Sequence, residues 1–145
     1  MKSIHSMSLA LLSFCLSNPL QASRPSVSFT EVNGTFLYQY TGIFKGFSSK
    51  LTVKALGNGK LTIDFDLIHP YVLNNNELSA NMGTLSGEAN IIGDTATYQS
   101  DEYGSCKIVM VFTKPGDVKV TQEGSDAACG FGHGVYADGT YYKTK

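Results

Sequence analysis

Two residues near the C-terminus could do chemistry together: Cys129 and His133, in the glycine-rich segment CGFGHG. A cysteine nucleophile needs a base within hydrogen-bond reach and a third group that orients the base. In an extended strand, side chains four residues apart share a face but lie about 13 Å apart, so the pair could meet only in a tight loop. In an oxidising compartment Cys106 is a simpler partner for Cys129. We therefore predict a Cys106–Cys129 disulfide, with His133 exposed or hydrogen-bonded to a carboxylate at the loop edge.

Other reactive groups do not converge on a catalytic or metal site. His69 and His133 have no ligand-type spacing, and a zinc site needs three or four ligands. Asp64 and Asp66 share a strand face, but it is the hydrophilic face, where carboxylates are ordinarily solvated. The sequence therefore predicts no metal, no cofactor and no enzymatic activity.

The N-terminus reads as a secretory signal peptide, residues 1–22. Lys2 precedes a nine-residue apolar run, SLALLSFCL, which is too short to span a bilayer, and Ala22 suits cleavage. Phe14 is too bulky for the position before a lipidated cysteine, so we expect no lipid anchor at Cys15. We predict that residues 23–145 form one periplasmic or secreted domain without a transmembrane segment.

Charge and composition restrict the fold class and the partners. The chain has 11 Lys and Arg against 12 Asp and Glu, and this balance argues against a nucleic-acid partner, which favours a basic face. Tyr, Phe and Gly are plentiful, and Leu does not recur at helical spacing. This composition favours β structure.

Short alternating segments separated by turn residues predict eight to ten antiparallel strands in one small barrel or sandwich. The clearest strand has Leu61, Ile63, Phe65 and Leu67 on one face, and it follows a hairpin signal, GNG at residues 57–59. Further hairpins are predicted at Gly93-Asp94 and at Pro115-Gly116, the latter with Lys114 opposite Asp117. The similar segments NGTFLY and DGTYYK suggest that the first and last strands pair.

Residues 69–84 interrupt this pattern with a proline, three consecutive asparagines and a possible helical turn in NELSANM. We predict an irregular connection here, a common place for a binding loop. Together with the acidic loops, it provides the candidate partner-binding residues: His69, Tyr71, Asn75, Glu77, Asp101, Glu102, Glu123, Asp126 and His133.

Residues 85–143 resemble a small exported bacterial β domain, found alone or after LprI-type segments, of the lysozyme-inhibitor-like kind. The shared features are a glycine-rich hairpin, a strand that starts at a cysteine, a valine-rich strand, a Cys-Gly loop and a closing Gly-x-Tyr strand. Periplasmic inhibitors of c-type lysozymes carry Ser-Gly and Tyr in a protruding loop. This chain has Ser86 and Gly87, with Asn90 where the aromatic residue is expected. The resemblance implies an exported β fold, and the loop signature of the inhibitors is not matched.

Two classes of function follow. The first is an exported binding or inhibitory module that blocks a lysozyme or another cell-wall hydrolase, since acidic loops suit a basic partner. The second is a closed-barrel carrier of a small apolar ligand, with Tyr38, Tyr40 and Tyr98 lining a cavity. A structural envelope protein without catalytic activity is a further alternative.

Overall fold

The chain folds into an eight-stranded antiparallel barrel, in a computed structural model that describes residues 26–113 and 116–145. The predicted signal peptide lies outside the described residues. The elements are α1 (Phe29–Val32), β1 (Gly34–Gln39), a 3-10 turn (Gly42–Phe44), β2 (Ser48–Gly57), β3 (Lys60–Val72), β4 (Leu78–Ile92), β5 (Thr95–Ser100), β6 (Cys106–Thr113), β7 (Asp117–Glu123) and β8 (Gly139–Lys143). The predicted all-β class is confirmed, and the architecture is the barrel rather than the sandwich.

The barrel closes where the first and last strands meet. Phe36 lies opposite Lys143, and Leu37 lies opposite Tyr142. The backbone N–H of Thr144 extends this pairing by donating to the carbonyl of Thr35 at 2.8 Å. The predicted pairing of these strands is confirmed. Pairing β1 with β8 removes the edges that the first and last strands would otherwise present as templates for aggregation.

Alternating side chains fill the interior of the barrel. Leu61, Ile63, Phe65 and Leu67 are each at most 1% exposed, as their period-two pattern predicts. Large side chains from the other strands meet them: Phe36, Leu51, Val53, Ile108, Met110, Phe112, Val118, Val120 and Tyr141. Each fully buried side chain of this kind contributes about 1.5–3 kcal/mol, and an eight-stranded barrel is just wide enough for side chains to fill.

The prediction of an irregular segment at residues 69–84 is wrong. Residues 69–72 continue β3 and residues 78–84 belong to β4, so only residues 73–77 form the connection. The helical turn predicted in NELSANM is also wrong, because residues 78–82 lie in β4. Pro70 is tolerated because of its position in the ladder. The Ile91 N–H donates to the Gly59 carbonyl, so the odd-numbered residues of β3 bond to β4 and the even-numbered residues direct their N–H groups away from it. The nitrogen of Pro70 therefore points toward β2, whose ladder with β3 has already ended at Lys50–Asp66.

Strands β4 and β5 separate soon after their hairpin. Their ladder covers only three pairs, from Ile92–Thr95 to Asn90–Thr97, although both strands continue beyond it. The connection between β7 and β8, residues 124–138, covers part of the resulting gap. Phe131 packs so closely on Gly83 that a Cβ there would lie 2.9 Å from the ring. This connection therefore packs against β4 at residues 82–83.

The predicted disulfide between Cys106 and Cys129 is confirmed, and it ties the start of β6 to residues 124–138. The predicted register of the β6–β7 hairpin is wrong by one residue. Thr113, not Lys114, lies opposite Asp117, and Lys107 lies opposite Glu123, because β6 ends at Thr113 and β7 begins at Asp117.

Candidate functional site

Four of the connections between strands lie at the same end of the barrel. Because neighbouring strands run in opposite directions, every second connection reaches the same end. This loop end consists of residues 40–47, 73–77, 101–105 and 124–138. The opposite end carries the turns at 58–59 and 93–94 and helix α1, where the Asn33 side chain accepts the Ala55 N–H.

All nine candidate partner-binding residues lie at the loop end. Six of them are in its connections: Asn75, Glu77, Asp101, Glu102, Asp126 and His133. The other three lie at or near strand ends that lead into these connections: His69, Tyr71 and Glu123. Residues separated by up to 64 positions in the sequence therefore share one surface.

The Asp126 side chain stabilises the conformation of the longest connection, residues 124–138. Its carboxylate accepts the backbone N–H of Gly134 at 2.6 Å and that of Ala127 at 2.7 Å. These two bonds, the Gly134 bond first, lower the pKa of Asp126 below its ordinary value because they stabilise the charged form. The carboxylate acts as an internal cap for the loop backbone.

His133 has the exposed position predicted for it. Its side chain is 99% exposed, and Nδ1 lies 3.9 Å from the Asp126 carboxylate. The backbone of this segment is fixed by Asn81, whose side-chain amide donates to the His133 carbonyl at 2.7 Å. His69 lies beneath the loop, against Gly134. Because Cys129 is bonded to Cys106, the cysteine has no free thiol with which His133 could form a catalytic pair.

The carboxylates of the loop end differ in their partners. Glu123 pairs with Lys107 at 3.3 Å on the surface, where such a pair contributes little. Glu77, Asp101 and Glu102 form no ion pair with any residue in the part of the chain that the structure describes. These three are therefore available to a charged partner.

Sequence reasoning missed the exposed apolar side chains of the loop end. Ile43 and Tyr103 are each 67% exposed, and Tyr136 and Leu73 are 47% and 40% exposed. Each comes from a different connection. The sequence did contain a signal, because each of these residues lies among glycines, asparagines or acidic residues that predict loops and not a buried strand. Exposed apolar residues gathered in one place are a feature of binding surfaces.

The tyrosines considered for a ligand cavity pack against other groups. Tyr38 contacts Tyr40 edge to face at 5.1 Å and Tyr141 at 5.8 Å between ring centroids. The Tyr40 hydroxyl donates to the Ile68 carbonyl at 2.6 Å, and burial raises the pKa of Tyr40. Tyr98 lies against Gly87, where a Cβ would come within 2.6 Å of its ring.

The Ser86-Gly87 pair does not lie in a protruding loop. Both residues are in the middle of β4, and the Ser86 hydroxyl donates to Asp64 at 2.5 Å across the strand pair. Among the described residues, no group of three or more His, Cys, Asp or Glu side chains could hold a metal ion, and no helix has the length and apolar character needed to cross a membrane. Comparison with protein-family models, curated proteins and solved structures found no match for this chain.

Proposed function

We propose that this protein is an exported, non-catalytic binding module that blocks a basic cell-wall hydrolase, such as a lysozyme, through its loop end. One observation carries the proposal. Each of the four connections at one end of the barrel presents an exposed apolar side chain, and two of these connections carry the carboxylates of Glu77, Asp101 and Glu102, which form no ion pair with any described residue. The resemblance of residues 85–143 to lysozyme-inhibitor-like domains points to the same class of partner.

The apolar side chains provide anchors for a protein interface. Ile43, Leu73, Tyr103 and Tyr136 each project from a different connection. Interface energy concentrates in a few such side chains, and Tyr is enriched among them. A partner that covers this end of the barrel would bury all four at once.

The charge of the loop end favours a basic partner. Its four connections contain five carboxylates and a single lysine, Lys45. Two of the carboxylates cap backbone amides: Asp126 within its own connection, and Asp138 at the N–H of Gln122. The field of the whole group steers a cationic protein toward this end, an effect that acts mainly on the association rate and weakens with salt.

The surface is organised in the free protein. The disulfide, the Asp126 cap and the bond from Asn81 to the His133 carbonyl hold residues 124–138 in place. Ordering a loop on binding costs free energy, so a loop already held in place loses less affinity.

The interior of the barrel does not support the carrier function. Phe36, Phe65, Ile108, Met110 and Tyr141 fill the centre, and each is at most 1% exposed. A ligand at the centre would have to displace these side chains. No specific observation favours a purely structural role.

A cell-wall turbidity assay tests the proposal. Basic lysozymes of several types, and amidases, are assayed with increasing amounts of the protein, and we expect complete inhibition of at least one hydrolase at equimolar protein. Tyr103→Ala should weaken inhibition by about tenfold or more, as for an interface anchor. Tyr142→Ala is the matched control, since this tyrosine is 59% exposed on β8, outside the loop end, and it should inhibit like the wild type. Full hydrolase activity at tenfold molar excess of the protein would contradict the proposal.

A further inference from the structure

A polar cleft opens at the loop end where β4 and β5 separate. Its volume is about 290 Å³, close to the lower limit for a small-ligand site. One side is β4 at residues 84–86, and the other is the end of β5 with the 101–105 connection. The Cys106–Cys129 disulfide and Gly130 complete its lining.

The side chains that line the cleft combine aromatic rings, hydroxyl groups and one carboxylate. The rings are those of Tyr98 and Tyr103, the carboxylate is that of Glu102, and Ser100 supplies a hydroxyl. None of the described residues that line it is a lysine, an arginine or a histidine. A site with one negative charge, two π faces and several hydrogen-bond acceptors is complementary to a cation that carries several N–H donors.

The groups of the cleft are held in place by their own contacts. Tyr103 packs against Gly130, where a Cβ would lie 3.0 Å from the ring. The backbone N–H of Glu102 donates to the Ser100 hydroxyl at 3.2 Å, which fixes the turn that carries both Glu102 and Tyr103. On the other side of the cleft, Gly87 leaves room for the Tyr98 ring.

We propose that this cleft receives an arginine side chain of the protein partner. A guanidinium group is planar, stacks on aromatic rings and offers five N–H donors, which can bind a carboxylate in a bidentate manner. Glu102 pairs with the guanidinium, Tyr103 covers one of its faces, and Ser100 accepts a remaining N–H. This inference rests on the proposed function, because it supplies the anchor by which the loop end recognises a basic protein.

A titration with a small molecule tests the cleft without any hydrolase. N-acetylarginine amide is added to the ¹⁵N-labelled protein, and chemical shifts are followed by NMR. We expect saturable shifts confined to residues 84–87, 98–106 and 128–130, with a dissociation constant on the order of millimolar for so small a ligand. Glu102→Gln should weaken binding at least fivefold. Glu88→Gln makes the same change on β4 opposite Thr62, toward the other end of the barrel, and should bind like the wild type.

The outcomes separate the possible ligands. Absence of saturable binding, or equal binding by wild type and Glu102→Gln, overturns the proposal. Stronger binding of N-acetylglucosamine at the same residues, insensitive to Glu102→Gln, also overturns it and assigns the cleft to a neutral saccharide. Equal melting temperatures of the two variants and the wild type show that any loss is not a loss of folding.

The titration also separates this inference from the proposed function. If the arginine derivative binds but no hydrolase is inhibited, the cleft assignment stands and the proposed function fails. If a hydrolase is inhibited equally by wild type and Glu102→Gln, the proposed function stands and the arginine anchor fails.

Discussion

Breaking the Cys106–Cys129 disulfide should lower the free energy of unfolding by about 3.4 kcal/mol. The bond joins residues separated by 23 positions, and the loop-closure relation converts a loop of this length into about 11 cal/mol/K of chain entropy, hence about 3.4 kcal/mol at 25 °C. For a folded unit of roughly 120 residues, 1 kcal/mol corresponds to about 4 °C. We therefore expect the melting temperature to fall by about 13 °C.

Calorimetry on three samples separates the bond from the packing of its sulfur atoms: the oxidised protein, the reduced protein and the double variant Cys106→Ala/Cys129→Ala. Reduction removes only the covalent link. The double variant also removes two sulfur atoms from positions that are 2% and 6% exposed, so we expect it to lose about 1–2 kcal/mol more.

The result that would refute this reasoning is a fall of less than about 3 °C in the reduced protein, with both thiols shown to be free by alkylation. Such a result would mean that the 124–138 connection is held by its other contacts alone. Those contacts include Phe131 on Gly83 and the bond from the Gly132 N–H to the Met82 carbonyl at 3.2 Å.

Three further changes test other parts of the structure. Gly87→Ala would place a Cβ 2.6 Å from the Tyr98 ring, so we expect a loss of about 1–3 kcal/mol in urea denaturation. Tyr141→Phe removes a buried hydroxyl that donates to the Ala137 carbonyl at 3.0 Å, and it should cost about 1–2 kcal/mol without a change in the urea m-value. Asp126→Ala should lower the melting temperature, and the effect should be at its maximum at neutral pH. Because the folded-state pKa of Asp126 lies below its ordinary value of 3.8, the gap between wild type and variant should close as the pH falls below about 4; a gap that stays constant down to about pH 2 would contradict the capping role.

The sequence by itself determined the local structure of the barrel. A period of two is a direct consequence of strand geometry, so the pattern alone assigned Leu61, Ile63, Phe65 and Leu67 to the interior. Glycine and asparagine at residues 57–59 marked a hairpin because their backbones tolerate positive φ, and Asn58 has a φ of 53°. The disulfide followed from the presence of two cysteines in the predicted mature chain.

Sequence patterns gave wrong predictions where the structural role of a residue depends on a neighbouring strand. Pro70 and three asparagines predicted that the strand is interrupted here. Pro70 is accommodated because a residue at this position of β3 does not donate a hydrogen bond to β4. Its tolerance depends on where β2 ends, which no local pattern specifies. The one-residue error in the β6–β7 register has a similar origin, because the packing of both strands in the barrel selects the register.

Only the tertiary structure decided which residues form a surface. Glu77, Glu102 and His133 lie far apart in the sequence, and they share the loop end because neighbouring strands of the barrel run in opposite directions, so that every second connection reaches the same end. The polar cleft exists because the β4–β5 ladder stops at Asn90–Thr97 while both strands continue. Closure and divergence depend on pairings between distant segments, whereas sequence patterns report the period and turns of each segment alone.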